Sequence, residues 1–408
     1  MAVLKPFRGL RPPSEMVRQI AAPPYDVVST VEARAYAQGN EASFFHISRP
    51  EIELPGVDDH DDEVYLRGVV NLRAFIARGW LQRDPHPCYS VYRQVMGSQT
   101  QVGLVAAASV DEYEKGLIKK HELTRADKED DRTRHIEQLG ANDEPVFLTY
   151  RADPQIDQLI SQACGRPPTY DFTTEDQVAH TFWVVDSALA APLARAFEKV
   201  PFLYIADGHH RSAAASRVHQ LALKKKDPQP GHDSFLTVVF PHDQMQILDY
   251  NRVVRDLNGH TPEKFLQAVR ERFEVEPFAQ KKPTRKHTFG MYLDGNWYLL
   301  TARPAGIPAS VVGSLDVSIL QSLLLAPVLG IGDPRKDPRI DFVGGIRGMD
   351  ELQRRVDSGS AQVAFSMFPP SLDQLMAIAD AGEIMPPKST WFEPKLRSGL
   401  VVHPFERE

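Results

Sequence analysis

A short apolar stretch of the chain ends in Asp207-Gly208, and two histidines and an arginine follow at once, His209-His210-Arg211. Where a strand gives way to a helix in this manner, several free backbone N–H groups and the positive end of the helix dipole point to one place, which suits an anion. Gly208 lets the backbone approach a phosphate closely, and the imidazole and guanidinium groups supply further donors. The segment is therefore predicted to form a phosphate-binding turn.

This Asp-Gly turn, residues 207–212, has two other interpretations. In the first, Asp207 is a helix cap and the histidines are exposed polar residues. In the second, the histidines bind a metal ion, but adjacent side chains project in different directions and the sequence has no HExxH spacing. We therefore predict no metal ligands in the chain.

A second reactive group is His121-Glu122, which opens a strongly charged run reaching Arg132. Charge runs are usually solvated helix faces. At a strand-to-helix junction, however, a carboxylate can be held by backbone donors and still be exposed to a cleft. Glu122 could then act as a general base toward a hydroxyl.

Alternating strand and helix patterns must position these groups. The spacing of apolar residues predicts helices, and runs rich in β-branched and aromatic residues between turn signals predict strands. The predicted helices cover 61–80, 119–137, 188–200, 212–223, 261–273 and 316–325. The predicted strands cover 88–95, 101–106, 144–150, 181–185, 201–206, 235–240 and 248–253, with a hairpin across 287–301. The fold class is therefore predicted to be mixed α/β, with a mixed sheet.

Composition excludes several classes of protein. The chain has 408 residues, 42% hydrophobic and 25% charged, as in ordinary globular proteins. A net charge of -7 with scattered basic residues argues against nucleic acid as a partner. Two unpaired cysteines support no disulfide framework, and no run approaches roughly 18 apolar residues, so a cytoplasmic location without a membrane contact is expected. Either a monomer or a homodimer is compatible with the sequence.

Several segments carry a family resemblance. His121-Glu122-Leu123-Thr124, a strand with Pro145-Val146, and the Asp-Gly turn opening a helix together resemble the free serine kinases of the ParB/sulfiredoxin-like superfamily. The whole chain resembles more closely a widespread bacterial family that is catalogued as a domain of unknown function and related to those kinases. Its signature segments are found at 5–12, 23–27, 121–124, 206–211, 249–252 and 388–390.

The resemblance implies an activity and a set of site residues. It implies a phosphotransferase with an alcohol group as acceptor, which moves a phosphoryl group from ATP, ADP or another donor, with Mg²⁺, to free L-serine. Glu122 would be the catalytic base, helped by His209, His210 and Arg211. The nucleotide phosphates would lie on Asp207, Gly208, His209, His210, Arg211 and Ser212. Substrate-binding residues would be His121, Thr124, Arg132, Tyr25, Asp26, Asn251, Arg252, Lys388, Ser389 and Thr390.

The resemblance also implies a domain plan and leaves one alternative function open. Residues 1–83 would be an N-terminal α/β segment, 84–247 a ParB/sulfiredoxin-like nucleotide-binding core, and 248–408 a C-terminal α/β domain. Sulfiredoxins place a catalytic cysteine where this chain has His209, which argues against thiol chemistry. The alternative is a nucleotide-binding regulatory switch of the ParB type that transfers no phosphate.

Overall fold

The computed structural model describes residues 2–405, and by contacts the chain divides into two compact units. The first unit combines Met1–Met245 with Pro394–Glu408, and the second is Gln246–Glu393. The predicted 248–408 domain begins close to the start of the second unit. The end of the chain belongs to the first unit, where His403–Pro404 pairs with Ala141–Asn142.

A mixed sheet forms the centre of the first unit. Within residues 2–405 it has nine strands, and Leu4–Lys5 pairs with one of them, Gln99–Ser109, beside the main path. The order from one edge to the other is Ile118–Lys119, Leu203–Asp207, Val146–Tyr150, Ser234–Pro241, Gln99–Ser109, Ser90–Met96, Ala179–Val184 and Tyr170–Thr173. Parallel pairing joins Leu203–Asp207 to Ile118–Lys119 and Ser234–Pro241 to Val146–Tyr150, and the other neighbours in this described sheet are antiparallel.

Apolar side chains fix the sheet against its helices. Ser234–Pro241 is buried along its whole length, as expected for a central strand covered on both faces. Val146, Leu148 and Ile205 belong to one core cluster that also includes Ala213 and Ala215. The small alanine side chains let a helix lie close to the sheet directly after the Asp-Gly turn.

The helices of the first unit begin and end where the sequence supplies local signals. Asp61 caps the helix Asp62–Ala77, and Gly140, with a φ of 67°, ends the helix Ala126–Leu139. The α-helices of this unit are Val17–Ile20, Thr30–Ala37, Phe45–Ser48, Asp62–Ala77, Val110–Glu114, Ala126–Leu139, Pro154–Ala163, Ser187–Phe197 and His209–Lys225. Short 3₁₀ turns lie at Tyr25–Val27, Pro50–Glu53 and His242–Gln244, and Leu10–Arg11 pairs with Gln82–Arg83.

The second unit has an antiparallel sheet of its own. Its strand order is Phe273–Pro277, Asn296–Ala302, Thr288–Leu293, Val363–Ser366, Tyr250–Val254 and Ile340–Gly344. A separate pair joins Gln246–Leu248 to Trp391–Glu393. Its helices are Pro262–Arg270, Asp316–Leu320, Gly348–Asp357 and Leu372–Asp380, with a π-helical turn at Gln321–Leu325 and 3₁₀ turns at Pro304–Gly306 and Gly345–Arg347.

The mixed α/β class predicted from the sequence is confirmed, and two boundaries need correction. The charged run predicted to be helical from 119 starts as the strand Ile118–Lys119 and a loop, and its helix begins only at Ala126. The helix after the Asp-Gly turn begins at His209 rather than at 212, so both histidines belong to its first turn. Among residues 2–405, every helix is too short or too polar to cross a bilayer.

Candidate active site

Two parallel strands bring the two reactive segments to one edge of the sheet. In the register of these strands, Leu203 lies opposite Ile118 and Tyr204 opposite Lys119. Because the strands run in the same direction, the residues that follow each of them emerge at the same end of the sheet. His121-Glu122 therefore comes close to the start of the helix His209–Lys225, here called the site helix.

The two adjacent histidines fasten the loop 121–125 to the site helix. The backbone N–H of His121 donates to Nε2 of His209 at 3.4 Å, and that of Arg125 donates to Nε2 of His210 at 3.0 Å. The rings of His121 and His209 also meet edge to face, with centroids 4.5 Å apart. The His-His pair is thus an anchor for the loop that carries Glu122.

These histidines are neutral at neutral pH. Burial lowers the pKa of His121 to about 4 and that of His209 well below its ordinary value, and it also lowers the pKa of His210. Since Nε2 of His209 and of His210 accepts a backbone N–H, we assign the ring proton of each to Nδ1. Their expected contribution as phosphate donors is therefore limited to that single N–H.

Gly208 is required by the backbone of the turn. Its φ is 99°, in the left-handed region, and a Cβ atom would lie 3.2 Å from Nε of Arg211 and 3.4 Å from Cα of Val146. Gly208 is also the N-cap and has no side chain with which to cap the first turn of the site helix. The hydroxyl of Ser212 donates to the carbonyls of Gly208 and His209, at 3.3 and 3.1 Å.

Arg211 points into the protein interior. It is 6% exposed and donates to the carbonyl of Pro145, and its Nη2 lies 3.5 Å from Asp26 and 3.8 Å from Asp207. Burial opposes the charge of the guanidinium, but the carboxylates of Asp26 and Asp207 outweigh it and raise its pKa. In this conformation the guanidinium contacts protein groups rather than the cleft described below.

Lys395 is a site residue that the sequence did not reveal. Its Nζ lies 2.9 Å from Oδ2 of Asp207, across 188 residues of chain. Burial alone would raise the pKa of Asp207, but Lys395 and Arg211 hold it well below the usual range. Asp207 is therefore a carboxylate with two cationic neighbours.

Glu122 and His209 line one cleft. The cleft measures about 330 Å³, near the lower end for small-molecule sites. Its lining consists of Tyr113, Lys120, Glu122, Leu123, Thr124, Glu129, His209, Ala213, Ser216 and Arg217. Thr124 donates its hydroxyl to Glu129 at 2.8 Å, and Arg217 lies 3.3 Å from the same carboxylate. Two of the site residues predicted from the sequence, Glu122 and His209, thus share a cavity.

A buried acid lies behind the turn. Oε1 of Glu144 accepts the backbone N–H of Tyr25 at 3.0 Å and the hydroxyl of Ser398 at 2.8 Å, whereas Oε2 has no hydrogen-bond partner among the described residues. Burial and the neighbouring Asp143 raise the pKa of Glu144 to about 8. Glu144 is therefore protonated at neutral pH and holds the segment that carries Tyr25 and Asp26.

Tyr25 and Arg132 contact each other instead of lining the cleft. The guanidinium of Arg132 lies 4.1 Å from the centroid of the Tyr25 ring, and its Nε donates to Asp131 at 2.8 Å. Both Tyr25 and Arg132 are buried, while Asp26 remains partly exposed. In this conformation neither of these two side chains lines the cleft in which substrate would bind.

The remaining candidates belong to the second unit and are bonded there. Asn251 donates to Asp249 at 2.6 Å and accepts the backbone N–H of Met367 at 2.9 Å. Arg252 donates to the carbonyl of Lys388 at 3.0 Å, and Ser389 donates to the carbonyl of Pro386. The structure thus brings Arg252 and Lys388 together within that unit. Thr390 follows Ser389 in the chain.

A group of donors suited to a cation lies at the cleft, with Glu122 and His209 in its lining and His121 buried next to them. One ligand atom each from His121, Glu122 and His209 lie within 4.8 Å of one another. The Mg²⁺ implied by the resemblance prefers oxygen ligands. Asp26 and Asp207 are engaged by cationic side chains, and Glu122 lies beside two imidazoles, so this donor set does not fit Mg²⁺. The prediction of no metal ligands rests on adjacent histidines, whereas the strand register brings His121 and Glu122 to His209.

Comparison with protein families decides the classification. The family model described as "Protein of unknown function (DUF1015)" matches residues 4–318, most of the chain. The chain belongs to the DUF1015 family. No curated protein matched this member of the family.

Solved structures give a more distant likeness. Free serine kinase in complex with AMP is 13% identical, with 71% of this chain and 86% of that chain covered and a TM-score of 0.34. SbnI with a C-terminal truncation, from Staphylococcus aureus, is 12% identical, with 72% and 85% covered and a TM-score of 0.38. A conserved hypothetical protein from Pyrococcus furiosus is 13% identical, with 71% and 90% covered and a TM-score of 0.32. Because these sequence identities and TM-scores are low, the likeness carries no argument about function, which has to be inferred from the geometry of the chain itself.

Proposed function

We propose that this protein is a small-molecule kinase that transfers a phosphoryl group from a nucleotide to a hydroxyl, with free L-serine as the acceptor. The observation that carries the proposal is the shared cleft of Glu122 and His209. It places a carboxylate beside His209, the first residue of a helix whose N-cap, Gly208, has no side chain. The motif resemblance to free serine kinases supports the choice of acceptor.

The Asp-Gly turn would hold the nucleotide phosphates. The N–H groups at the start of the site helix and the helix dipole favour an anion there. Lys120 and Arg217 line the same cleft and add positive charge. Gly208 keeps the backbone at the turn open to a close approach, because it carries no Cβ.

Glu122 would be the general base. As the substrate oxygen forms its bond to the terminal phosphorus, Glu122 accepts the hydroxyl proton, and the bond from phosphorus to the bridging oxygen breaks to release the shortened nucleotide. The loop that carries Glu122 is held by His209 and His210 through their Nε2 atoms. The histidines would thus act mainly by positioning the base.

Arg211, Asp207 and Lys395 would set the shape of the turn. Arg211 ties the turn to the carbonyl of Pro145, and Lys395 fixes the carboxylate of Asp207. We assign all three a positioning role. Tyr25 and Arg132 would likewise support the turn from behind, whereas Thr124, in the cleft lining, would contact substrate.

A nucleotide-binding switch is the second candidate. The inward position of Arg211 favours it, because a guanidinium bound to Pro145 and Asp26 does not stabilise charge on a transferring phosphoryl group. Such a protein would bind nucleotide and change conformation or partner without releasing a phosphorylated product.

Product analysis separates the two candidates. Purified full-length protein is incubated with ATP, ADP or pyrophosphate and a panel of amino acids, and products are identified by ³¹P NMR and mass spectrometry. O-Phosphoserine formed in proportion to nucleotide consumed supports the kinase. Saturable nucleotide binding without any phosphorylated acceptor contradicts the kinase and supports the switch.

A further inference from the structure

The three potential metal ligands His121, Glu122 and His209 differ in exposure. His121 is 2% exposed and His209 is 5% exposed, whereas Glu122 is only partly buried and lines the cleft. A ligand bound by all three would therefore be held by buried imidazoles and would face the cleft through the carboxylate side.

His121 provides an independent indication of a ligand. Although the backbone of Ile205 is close, neither Nδ1 nor Nε2 of His121 reaches a hydrogen-bond partner among the described residues. Buried polar groups in proteins are nearly always paired, because an unpaired one loses its hydration without compensation. A metal ion accepting a nitrogen lone pair would supply the missing partner.

The chemistry of the donors selects the class of ion. Two imidazole nitrogens and one carboxylate suit divalent transition metals such as Zn²⁺, Co²⁺, Mn²⁺ and Fe²⁺, whereas Mg²⁺ and Ca²⁺ prefer sets made of oxygen. Three protein ligands also leave at least one position open for water or a phosphate oxygen from the cleft. The negative charge of Asp207 acts on both imidazoles and adds to that of Glu122.

We propose that His121, Glu122 and His209 bind one divalent transition-metal ion. For His209 this means that Nε2 exchanges its long hydrogen bond from the backbone N–H of His121, 3.4 Å, for the metal, while Nδ1 keeps the ring proton. The parallel pairing of Ile118–Lys119 with Leu203–Asp207 brings these ligands together from positions 88 residues apart. The site does not depend on the proposed kinase activity, because it is defined by its ligands alone. A metal-bound Glu122 is not available as a base at the same moment.

Cobalt absorption tests the site directly. The full chain is treated with EDTA, dialysed and titrated with Co²⁺, whose d–d absorption bands report coordination. We expect one equivalent to bind with visible bands, Zn²⁺ to displace it, and millimolar Mg²⁺ to leave it in place. Binding of Zn²⁺ should also raise the Tm of the protein, since a ligand that binds only the folded state stabilises it.

Variants identify the ligands. Glu122→Gln and His209→Asn should each weaken Co²⁺ binding at least tenfold and remove the rise in Tm. His86→Asn, a change of an exposed histidine outside the cluster, should bind Co²⁺ as the wild type does and thereby controls for adventitious histidine sites. The Tm of each metal-free variant and its circular dichroism establish that it is folded.

Two outcomes would overturn the proposal. One is the lack of saturable Co²⁺ binding by the folded wild type, and the other is binding that Glu122→Gln and His209→Asn leave unchanged. Neither measurement uses phosphoryl transfer, so a protein that transfers no phosphoryl group in its metal-free form but binds Co²⁺ through these residues would refute the kinase and retain the metal site.

Discussion

The two sides of the Asp-Gly turn carry similar residue types but serve different purposes. On the cleft side, Glu122 and His209 line a cavity, and His121 is buried next to them. On the interior side, Arg211 and Asp207 meet Asp26, Glu144 and Lys395 in a buried network of charges and hydrogen bonds. The helix geometry imposes this division, because His209 and Arg211 are two residues apart and point to different faces.

The comparison separates groups that can react from groups that hold the turn. A side chain that lines the cleft can be changed with an effect on binding or rate, whereas removing a member of the interior network takes a hydrogen-bond or charge partner from groups that are largely buried. Cleft-side variants should therefore lose turnover before stability, and interior-side variants should lose stability first.

The largest effect is expected for the cleft-side change Glu122→Gln. If Glu122 is the general base that we propose, its loss should lower kcat by about 10³-fold, within the usual range for such groups, while the nucleotide Kd changes by no more than about threefold. Steady-state kinetics and isothermal titration calorimetry measure the two quantities. Glu137→Gln, which removes a surface pair with Lys225, serves as the control and should keep full activity. Equal losses of rate and of nucleotide affinity would reject the role of Glu122 as base.

On the interior side, Arg211→Met should lower the free energy of unfolding by about 2 kcal/mol, because it leaves the buried carbonyl of Pro145 without its charged donor and removes one of the two cations beside Asp207. Urea denaturation at neutral pH measures this change. The matched control is Arg217→Met, which breaks exposed pairs with Glu129 and Asp130 and should cost less than about 1 kcal/mol. If Arg211→Met keeps its stability but loses nucleotide affinity, Arg211 takes part in nucleotide binding and does not mainly hold the turn.

A smaller effect is expected where the two sides meet. Gly208→Ala should cost about 1–2 kcal/mol for the left-handed backbone and should also weaken nucleotide binding, because the new Cβ presses on Arg211. Gly97→Ala is the matched control, since Gly97 also has a positive φ but has nothing within 4 Å of its Cβ position. It should lose similar stability and keep its nucleotide affinity. Equal nucleotide affinities for the two variants would show that the turn tolerates a side chain.

Much of the first unit follows local patterns that can be recognised in the sequence. The helix Asp62–Ala77 and the strands Ser90–Met96 and Gln99–Ser109 confirm predictions based on apolar spacing and on runs rich in β-branched and aromatic residues. The Asp-Gly turn was visible because glycine and the apolar strand before it are adjacent. The roles assigned to Glu122 and to the turn residues remain predictions.

The interior network could not be predicted because its partners are distant in sequence. Glu144 binds Tyr25 across 119 residues, and Lys395 reaches Asp207 across 188. The histidine-carboxylate group was missed for the same reason, since only the strand register brings His121 to His209. Each of these residues, taken singly, resembles an ordinary surface acid, lysine or histidine.

The smallest effect at neutral pH is expected for Glu144→Gln, an interior-side change that mimics the protonated acid. The folded pKa of Glu144 is raised to about 8 by burial and Asp143, although Arg211 opposes the shift. The stabilising contribution of protonated Glu144 is therefore fully present below the pKa that this residue has in the unfolded chain. It is lost as pH rises through the higher pKa that the residue has in the folded protein.

Between about pH 5 and 8 the folded wild type holds one proton more than the unfolded chain, so its stability should fall by at most about 1.4 kcal/mol per pH unit from this group. Glu144→Gln should flatten that slope while leaving stability near pH 5 almost unchanged. Urea denaturation across this range measures both slopes, with Glu137→Gln as an exposed control that keeps the wild-type slope. Parallel slopes for wild type and Glu144→Gln would mean that Glu144 is already ionised, and the interior network would then carry a second buried negative charge beside Asp143.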